Sequence, residues 1–221
     1  MAKTRVLDAL AQKRPLVSDG AWGTFLQAKG LEGGQCPELW NVERREDVLD
    51  VARRYVEAGA ELIETNSFGG SRFKLAHYGL AERAAELNEA AAAISREAAG
   101  DSVIVLGSIG PTGRILMMGD TTEDELFEAF KEQATALERG GADAICVETM
   151  SALDEALLAV RAAREHTSLE VVCTFTFERT VDGAYRTMMG VGPTEMATAA
   201  TEAGATVIGT NCGNGMERMV D

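Results

Sequence analysis

The residues of this sequence that are best suited to chemistry are one cysteine and two carboxylates, each placed at the end of a short apolar run. Cys212 follows the run 207–211 and enters a Gly-rich turn, while Glu148 and Asp19 each close a similar run. A thiolate is a nucleophile and a ligand for thiophilic metals, and a carboxylate binds an ammonium group through charge-assisted hydrogen bonds. These residue types therefore indicate a site for a ligand with an amino group, beside a position where a thiophilic metal binds.

Each of these residues also has a structural interpretation that the local sequence leaves open. The run 206–208 is β-branched and too short for a helix, so it predicts a strand that delivers Cys212 into the turn, where glycines permit close backbone approach. Free cysteines are common as small core residues, although loops that follow strands frequently carry function. For Asp19 and Glu148 the alternative is a helix cap or a salt bridge to a neighbouring helix.

The length and charge of the chain restrict its class and its partners. Its 221 residues carry a formal net charge of −14 and include 46% hydrophobic residues, which suffices for a buried core in a single domain. An acidic chain is repelled by polyanions, so we expect neither nucleic acid nor an anionic membrane surface as a partner. The segment 1–14 is charged and has no long apolar run, so it predicts neither a secretory signal nor a membrane span.

The cysteines are scattered, without any Cys-x-x-Cys spacing. This distribution argues against a disulfide framework and against a metal site built from one local motif. Reduced thiols are typical of a cytoplasmic protein, which is the location that we expect. The four cysteines are Cys36, Cys146, Cys173 and Cys212.

Strand and helix patterns alternate along the chain. The clearest helical pattern covers 122–139, where Thr122 and Glu125 form a capping box and Gly140 with Gly141 ends the helix. The other helical patterns cover 46–57, 81–99, 151–166 and 193–202. Six short apolar runs are the candidate strands, at 16–19, 62–65, 103–107, 144–148, 171–175 and 207–211.

An internal repeat indicates which α/β architecture these elements form. The decapeptides Glu57-Ala-Gly-Ala-Glu-Leu-Ile-Glu-Thr-Asn66 and Glu202-Ala-Gly-Ala-Thr-Val-Ile-Gly-Thr-Asn211 agree at seven of ten positions, and 139–149 is a looser third copy. Repeated βα units form a parallel sheet with helices outside, either as a (β/α)8 barrel or as an open doubly wound sheet. Because no Gly-x-Gly-x-x-Gly fingerprint follows the first strand, the pattern favours the (β/α)8 TIM barrel.

In a barrel the carboxyl ends of the strands meet at one rim, where catalytic residues lie. The residues predicted at that rim are rich in hydrogen-bond acceptors and contain no cation. They therefore suit a ligand that carries an ammonium group. They are Asp19, Glu64, Asn66, Ser108, Glu148, Thr149, Thr174, Asn211 and Cys212.

Five motifs occur in order across nearly the whole chain: Asp19-Gly-Ala-Trp-Gly-Thr24, Glu64-Thr-Asn-Ser-Phe68, Gly107-Ser-Ile-Gly-Pro-Thr-Gly113, Glu148-Thr-Met150 and Asn211-Cys212. Together they resemble the motifs of the homocysteine S-methyltransferase family. The family includes the homocysteine-binding module of cobalamin-dependent methionine synthase and betaine–homocysteine methyltransferase. Its fold is a (β/α)8 barrel, which agrees with the architecture that the repeats favour.

The resemblance implies zinc-dependent methyl transfer to the thiol of homocysteine, giving methionine. The family holds its zinc with three cysteines, of which the first matches Cys212 and the other two form an adjacent Cys-Cys pair at a later strand end. This chain has no Cys-Cys pair. We therefore expect 1–221 to be one homocysteine-binding barrel domain of about six βα units, truncated before the last two strands, with the remaining zinc ligands beyond residue 221.

The resemblance also implies roles for the rim residues. Coordination to zinc deprotonates a thiol while keeping it reactive, so Cys212 and Glu148 become the catalytic candidates. Glu148 is implied to hold the substrate ammonium group, and the backbone of Gly20 and Ala21 its carboxylate. The residues implied to complete the substrate pocket are Asp19, Asn66, Ser108 and Asn211.

The methyl donor is not specified by the motifs. Family members use methylcobalamin on a partner domain, a betaine or S-methylmethionine. The pairs Met117-Met118 and Met188-Met189 lie in segments after strands and favour a bulky corrinoid donor, although methionines also fill gaps in cores. The alternative to an enzyme is a zinc-free ligand-binding or regulatory subunit that retains the residues of the barrel rim but has lost catalysis. A nucleotide-binding open sheet is disfavoured because the chain has no phosphate loop.

Overall fold

A computed structural model describes residues 6–12, 14–213, 215 and 219, in which helices alternate with parallel strands. Short 3₁₀ turns cover Pro37–Leu39, Ala81–Arg83 and Leu116–Met118. The strands are β1 (Leu62–Glu64), β2 (Ile104–Ile109), β3 (Ala144–Met150), β4 (Glu170–Phe175), β5 (Glu178–Arg179), β6 (Tyr185–Arg186) and β7 (Val207–Thr210). The helices are α1 (Val6–Leu10), α2 (Gly23–Ala28), α3 (Trp40–Glu43), α4 (Arg45–Glu57), α5 (Arg72–Ala76), α6 (Ala84–Ala99), α7 (Glu123–Gly140), α8 (Leu153–His166) and α9 (Pro193–Glu202).

The main sheet follows the order of the chain. Its strand order is β1-β2-β3-β4-β7, and every neighbouring pair is parallel. An open doubly wound sheet reverses its strand order at a switch point, whereas a barrel adds each new strand on the same side. The observed order is therefore that of a barrel wall. The remaining strands, β5 and β6, form a separate antiparallel ribbon.

The first predicted strand, 16–19, is shorter in the structure than the pattern indicates. Ser18 forms an isolated parallel bridge with Leu62, and the Asp19 amide donates to the Leu62 carbonyl at 3.0 Å. Pro15 lies immediately before this segment and has no amide hydrogen to donate to a ladder. The segment still fixes Asp19 at the carboxyl end of β1, which is where the prediction placed it.

The two faces of the sheet pack differently. The outer face contacts helices α4, α6, α7, α8 and α9, and the inner face meets α1 at the amino ends of the strands. Both faces are apolar along most of the sheet, as expected for parallel strands that are covered on both sides. Inner-face residues include Leu62, Ile104, Leu106, Ala144 and Cys146, packed with Val6 and Ala9. Outer-face residues include Ile63, Val105, Ile145, Val147, Val171, Cys173 and Phe175.

The helix ends follow the sequence signals in most cases. Thr122 and Glu125 form the predicted capping box, and Gly141 ends α7 with a φ of 105°, a conformation that favours glycine. The pattern at 151–166 placed the start of α8 two residues too early, since Ala152 is its extended N-cap. No helix among the described residues is long and apolar enough to cross a membrane.

Candidate functional site

A cavity of about 630 Å³ opens at the carboxyl ends of the parallel strands. All eight residues predicted for the site line it, and they come from loops and strand ends that are far apart in the sequence. The cavity wall also includes Glu64, Thr149, Trp22 and Glu38, and the described lining contains neither lysine nor arginine. The predicted residues are Asp19, Gly20, Ala21, Asn66, Ser108, Glu148, Asn211 and Cys212.

Asp19 is held by three hydrogen bonds at the carboxyl end of β1. Its Oδ2 accepts hydrogen bonds from the Trp22 indole Nε1 at 2.9 Å and from the Glu64 amide at 2.8 Å. The Ser18 hydroxyl donates to Oδ1 at 3.1 Å. Asp19 therefore fastens the following turn to β1, in addition to placing a carboxylate in the cavity.

The turn after Asp19 is anchored by an aromatic residue of α4. The Tyr55 hydroxyl donates to the Ala21 carbonyl at 2.8 Å, and the Gly20 amide faces the same hydroxyl. A Cβ at Gly20 would lie 3.2 Å from that hydroxyl oxygen, so a larger residue would displace the turn. The Tyr55 ring also packs edge-on against Phe25, with ring centroids 5.5 Å apart. Tyr55 thus fixes the Gly20 and Ala21 backbone beside the cavity.

Glu148 is buried at the end of β3 and points into the cavity. The Ser108 hydroxyl, from the neighbouring strand β2, donates to its Oε1. The Asn211 side-chain amide lies 3.4 Å from its Oε2. Strand register explains these contacts, because Ser108 pairs with Cys146 and both strands end at the same rim. Only 8% of Glu148 is exposed, so a cation in the cavity would meet its charge in a poorly hydrated setting.

Burial raises the pKa values of three of the cavity carboxylates, Asp19, Glu64 and Glu148, and for Glu64 and Glu148 a neighbouring negative charge adds to the effect. Burial, together with the negative charges of Glu148 and Asp19, raises the pKa of Glu64 well above its ordinary value. Burial also raises the pKa of Glu148, which the Ser108 hydrogen bond opposes, and it raises the pKa of Asp19 against the hydrogen bonds to that carboxylate. A ligand ammonium group would relieve this repulsion, because it supplies the positive charge that the described lining lacks.

A hydrogen-bond network joins Glu148 to Cys212. The Thr174 hydroxyl donates to Asn211 Oδ1 at 2.9 Å, and Asn211 Nδ2 donates to the Thr149 hydroxyl at 2.8 Å. Cys212 Sγ lies 3.9 Å from that hydroxyl and 3.7 Å from Asn211 Nδ2. Cys212 is exposed. The Gly-rich turn predicted after it includes Asn214, which lies outside the described residues.

Asn66 and Glu38 form a wall of the cavity and are engaged in structural contacts. The Asn66 side-chain amide donates to the Pro37 carbonyl at 2.8 Å and to Asn41 Oδ1 at 2.9 Å. Glu38 Oε1 accepts from the Gly69 amide at 2.7 Å. These bonds tie the 3₁₀ turn at Pro37–Leu39 to the loop after β1. Asn66 therefore shapes the pocket through the backbone that it holds.

The described residues do not by themselves fit a zinc site. No three side chains of the types His, Cys, Asp and Glu come together as a possible metal site within the described ranges. Cys212 offers one sulfur at the cavity rim, whereas Cys36, Cys146 and Cys173 are buried and do not line the cavity. The remaining ligands were predicted beyond residue 221, which lies outside the described residues.

Three cavity residues gain importance only in the structure. The sequence predicts Glu64 at the rim, but the family resemblance assigns it no role in the substrate pocket. Glu38 reaches the cavity from a 3₁₀ turn that carries no motif. Trp22 lies inside the first motif, and its hydrogen bond to Asp19 could have been suspected from the spacing of three residues.

Comparisons with known proteins identify sequences that are similar to this chain. A family model described as homocysteine S-methyltransferase matches residues 16–221. The chain is 36% identical to methionine synthase of Mycobacterium tuberculosis over 236 aligned positions, which cover 98% of this chain and 19% of that protein. It is also 36% identical to methionine synthase of Mycobacterium leprae, again over 98% of this chain and 19% of that protein. The chain thus spans about a fifth of the length of these relatives.

A solved structure confirms the predicted fold. The metallated form of the homocysteine methyltransferase MmuM from Escherichia coli superimposes with a TM-score of 0.75 at 23% identity, covering 93% of this chain and 77% of that one. The chain accordingly adopts the (β/α)8 barrel architecture and supplies about six βα units, the first of which contributes only the bridge at Ser18.

Proposed function

Because the chain belongs to the homocysteine S-methyltransferase family, we propose that it binds homocysteine for methyl transfer to the homocysteine thiol, giving methionine. The observation that carries the proposal is the acidic cavity with Cys212 at its rim. Homocysteine bears an ammonium group and a thiol, and the cavity offers carboxylates for the first and, at its rim, the metal-ligand candidate Cys212 for the second. In this proposal residues 1–221 form a single barrel domain.

The chain's own residues bind and orient the substrate in this proposal. Glu148 binds the ammonium group, and Ser108 holds the carboxylate of Glu148 toward the cavity. The backbone at Gly20 and Ala21 receives the substrate carboxylate, with Tyr55 fixing that turn. The substrate is thereby fixed at its amino-acid end, so that its thiol lies toward Cys212. Orientation of this kind lowers the entropic cost of reaching the transition state.

Binding also changes the charge state of the cavity. Burial raises the pKa values of Asp19, Glu64 and Glu148, and an ammonium group bound beside them would lower those pKa values, because a nearby positive charge favours the ionised carboxylate. Once the substrate thiol is ionised, its sulfur accepts the methyl group directly, so this step requires no general base. The remaining chemical requirement is a means of ionising that thiol at neutral pH, where about a few per cent of an unperturbed thiol is thiolate.

Zinc is the group that would meet this requirement, since a zinc-bound thiol is deprotonated and remains nucleophilic. We propose Cys212 as one zinc ligand, with the other ligands supplied from outside the described residues. The proposed donor is methylcobalamin, carried by a corrinoid domain or protein. The names of the methionine synthase relatives support a methionine product. The proposed location is the cytoplasm, and the four free cysteines support it, since reduced thiols are typical of that compartment.

A homocysteine-dependent methyl-transfer assay tests the function. The protein that carries this chain is mixed with homocysteine and either methylcobalamin or S-methylmethionine, and methionine is quantified. We expect methionine with methylcobalamin. Homocysteine binding without methionine from either donor, in a protein free of zinc, would instead establish the alternative, a zinc-free ligand-binding or regulatory subunit. Absence of homocysteine binding would contradict both.

A further inference from the structure

The backbone is irregular at the residue that follows Glu148. Thr149 has a φ of 58°, in the left-handed region that β-branched residues rarely adopt. The pairing of β3 with β4 shifts register between Val147 and Met150 at the same point. Strained residues and bulges of this kind are concentrated at functional sites, where they redirect side chains.

The irregularity changes which side chains face the cavity. Along β3, Ala144 and Cys146 lie on the inner face, and regular alternation would continue with Glu148 and Met150. Met150 instead joins the outer core, while Glu148 and Thr149 both line the cavity. The bulge therefore adds the Thr149 hydroxyl to the site directly beside the Glu148 carboxylate.

The directions of the hydrogen bonds around Thr149 follow from the donors and acceptors available. The Thr149 amide donates to the Thr174 hydroxyl oxygen at 3.3 Å, so the Thr174 proton is free to donate to Asn211 Oδ1. This bond turns Asn211 Nδ2 toward Thr149 Oγ1. The Thr149 hydroxyl proton then faces two acceptors, the Glu148 carboxylate and the Cys212 sulfur.

We propose that Thr149 is a specificity-determining positioning residue, which fixes the separation between Glu148 and Cys212 and thereby selects homocysteine over cysteine. The inference rests on the proposed function. Homocysteine and cysteine share the ammonium, carboxylate and thiol groups and differ by one methylene between the α-carbon and the sulfur. A site whose ammonium-binding group and sulfur-binding end are held at a fixed distance distinguishes the two, whereas a site with a mobile end does not.

Three features make Thr149 the residue that holds this distance. Thr149 directly follows Glu148 in the chain, and its hydroxyl lies 3.9 Å from Cys212 Sγ. The Asn211 side-chain amide is also closer to the Thr149 hydroxyl than to Glu148 or Cys212. Asn211 Nδ2 lies 2.8 Å from the Thr149 oxygen, against 3.4 Å from Glu148 and 3.7 Å from Cys212. Without the hydroxyl, the Cys212 turn loses its nearest link to the end of β3.

The test compares the affinities of L-homocysteine and L-cysteine by titration calorimetry. The variant Thr149→Val keeps the shape and the β-branch and removes only the hydroxyl. A single methylene is worth roughly 10- to 200-fold in a well-defined pocket, so we expect unmodified protein to prefer homocysteine by a factor in this range. In Thr149→Val the preference should fall at least about five-fold, mainly through weaker homocysteine binding, while Thr149→Ser should retain it.

Two further variants separate this role from general damage to the fold. Thr149→Gly adopts a φ of 58° without strain and also lacks the hydroxyl, so it should lose the preference as Thr149→Val does. Thr206→Val makes the same substitution at the amino end of β7, where the hydroxyl donates to the Val171 carbonyl at 2.9 Å, and should behave like unmodified protein. An unchanged preference for homocysteine over cysteine in both Thr149→Val and Thr149→Gly would overturn this inference and leave the proposed function standing. Failure of the unmodified protein to bind homocysteine would overturn the proposed function itself.

Discussion

Replacing Glu148 with glutamine should weaken substrate binding and leave the fold intact. Glutamine keeps the size of the side chain, and its carbonyl oxygen can still accept the hydrogen bond from Ser108. It removes the negative charge that the proposed ammonium group contacts in a buried setting. Hydrogen bonds to charged groups contribute about 1.5–3 kcal/mol, so the dissociation constant for homocysteine should rise about 10- to 150-fold.

The same substitution should affect stability in the opposite direction. Burial raises the pKa of Glu148, so its contribution to stability is greatest at acid pH and is lost as the pH rises through the pKa in the folded state. Glutamine does not ionise and avoids this loss. The melting temperature of Glu148→Gln at pH 7 should therefore equal or exceed that of unmodified protein, even though homocysteine binds less tightly.

Titration calorimetry and thermal melts measure both effects on the same samples. Glu170→Gln is a matched control, because Glu170 is also buried but lies at the amino end of β4, where it accepts a hydrogen bond from the Leu7 amide at 3.3 Å. This control should leave homocysteine affinity unchanged. Unchanged affinity in Glu148→Gln would refute the assignment of the ammonium site, and an equal loss in both variants would show that the effect is not local to the cavity.

Two further substitutions test the charge of the cavity and the role of its cysteine. In urea unfolding, Glu64→Gln should stabilise the protein increasingly from pH 5 to pH 8. Burial and the charges of Glu148 and Asp19 raise the pKa of Glu64, so unmodified protein loses stability as the pH rises through that pKa, whereas glutamine does not ionise. A destabilised variant at pH 8 would contradict this prediction. Cys212→Ala should lose bound zinc in elemental analysis of the zinc-loaded protein, while Cys36→Ala should keep it, since Cys36 is buried and does not line the cavity. Full zinc occupancy in Cys212→Ala would exclude the proposed ligand.

Much of the fold could be predicted from the sequence, because the signals for it are local. The capping box at Thr122 and Glu125 and the glycine at Gly141 act within one turn of helix, so their pattern fixes where α7 begins and ends. The repeated Gly-Ala turns before strands likewise indicate a parallel sheet. The segment 16–19 was harder to assess, since its pairing with β1 depends on tertiary contacts that a short apolar run does not specify.

The sequence predicts which residues form the candidate site better than it predicts how they are arranged. Strand ends place Asp19, Glu148 and Cys212 at one rim, because parallel strands share the direction of their carboxyl ends. The bulge at Thr149 could not be predicted, since threonine is not a residue that favours positive φ and its conformation is imposed by neighbouring strands. The approach of Glu38 also depends on long-range contacts, through the Gly69 amide.

The central claim is that the cavity recognises homocysteine through its ammonium group. The most direct measurement compares homocysteine with 4-mercaptobutyrate, which keeps the thiol, the carboxylate and the spacing but lacks the amino group. We predict that homocysteine binds and that 4-mercaptobutyrate binds at least about 10-fold more weakly, because the carboxylates of Asp19, Glu64 and Glu148 face a cavity whose described lining contains no lysine or arginine. Equal affinity for the two compounds would contradict the account.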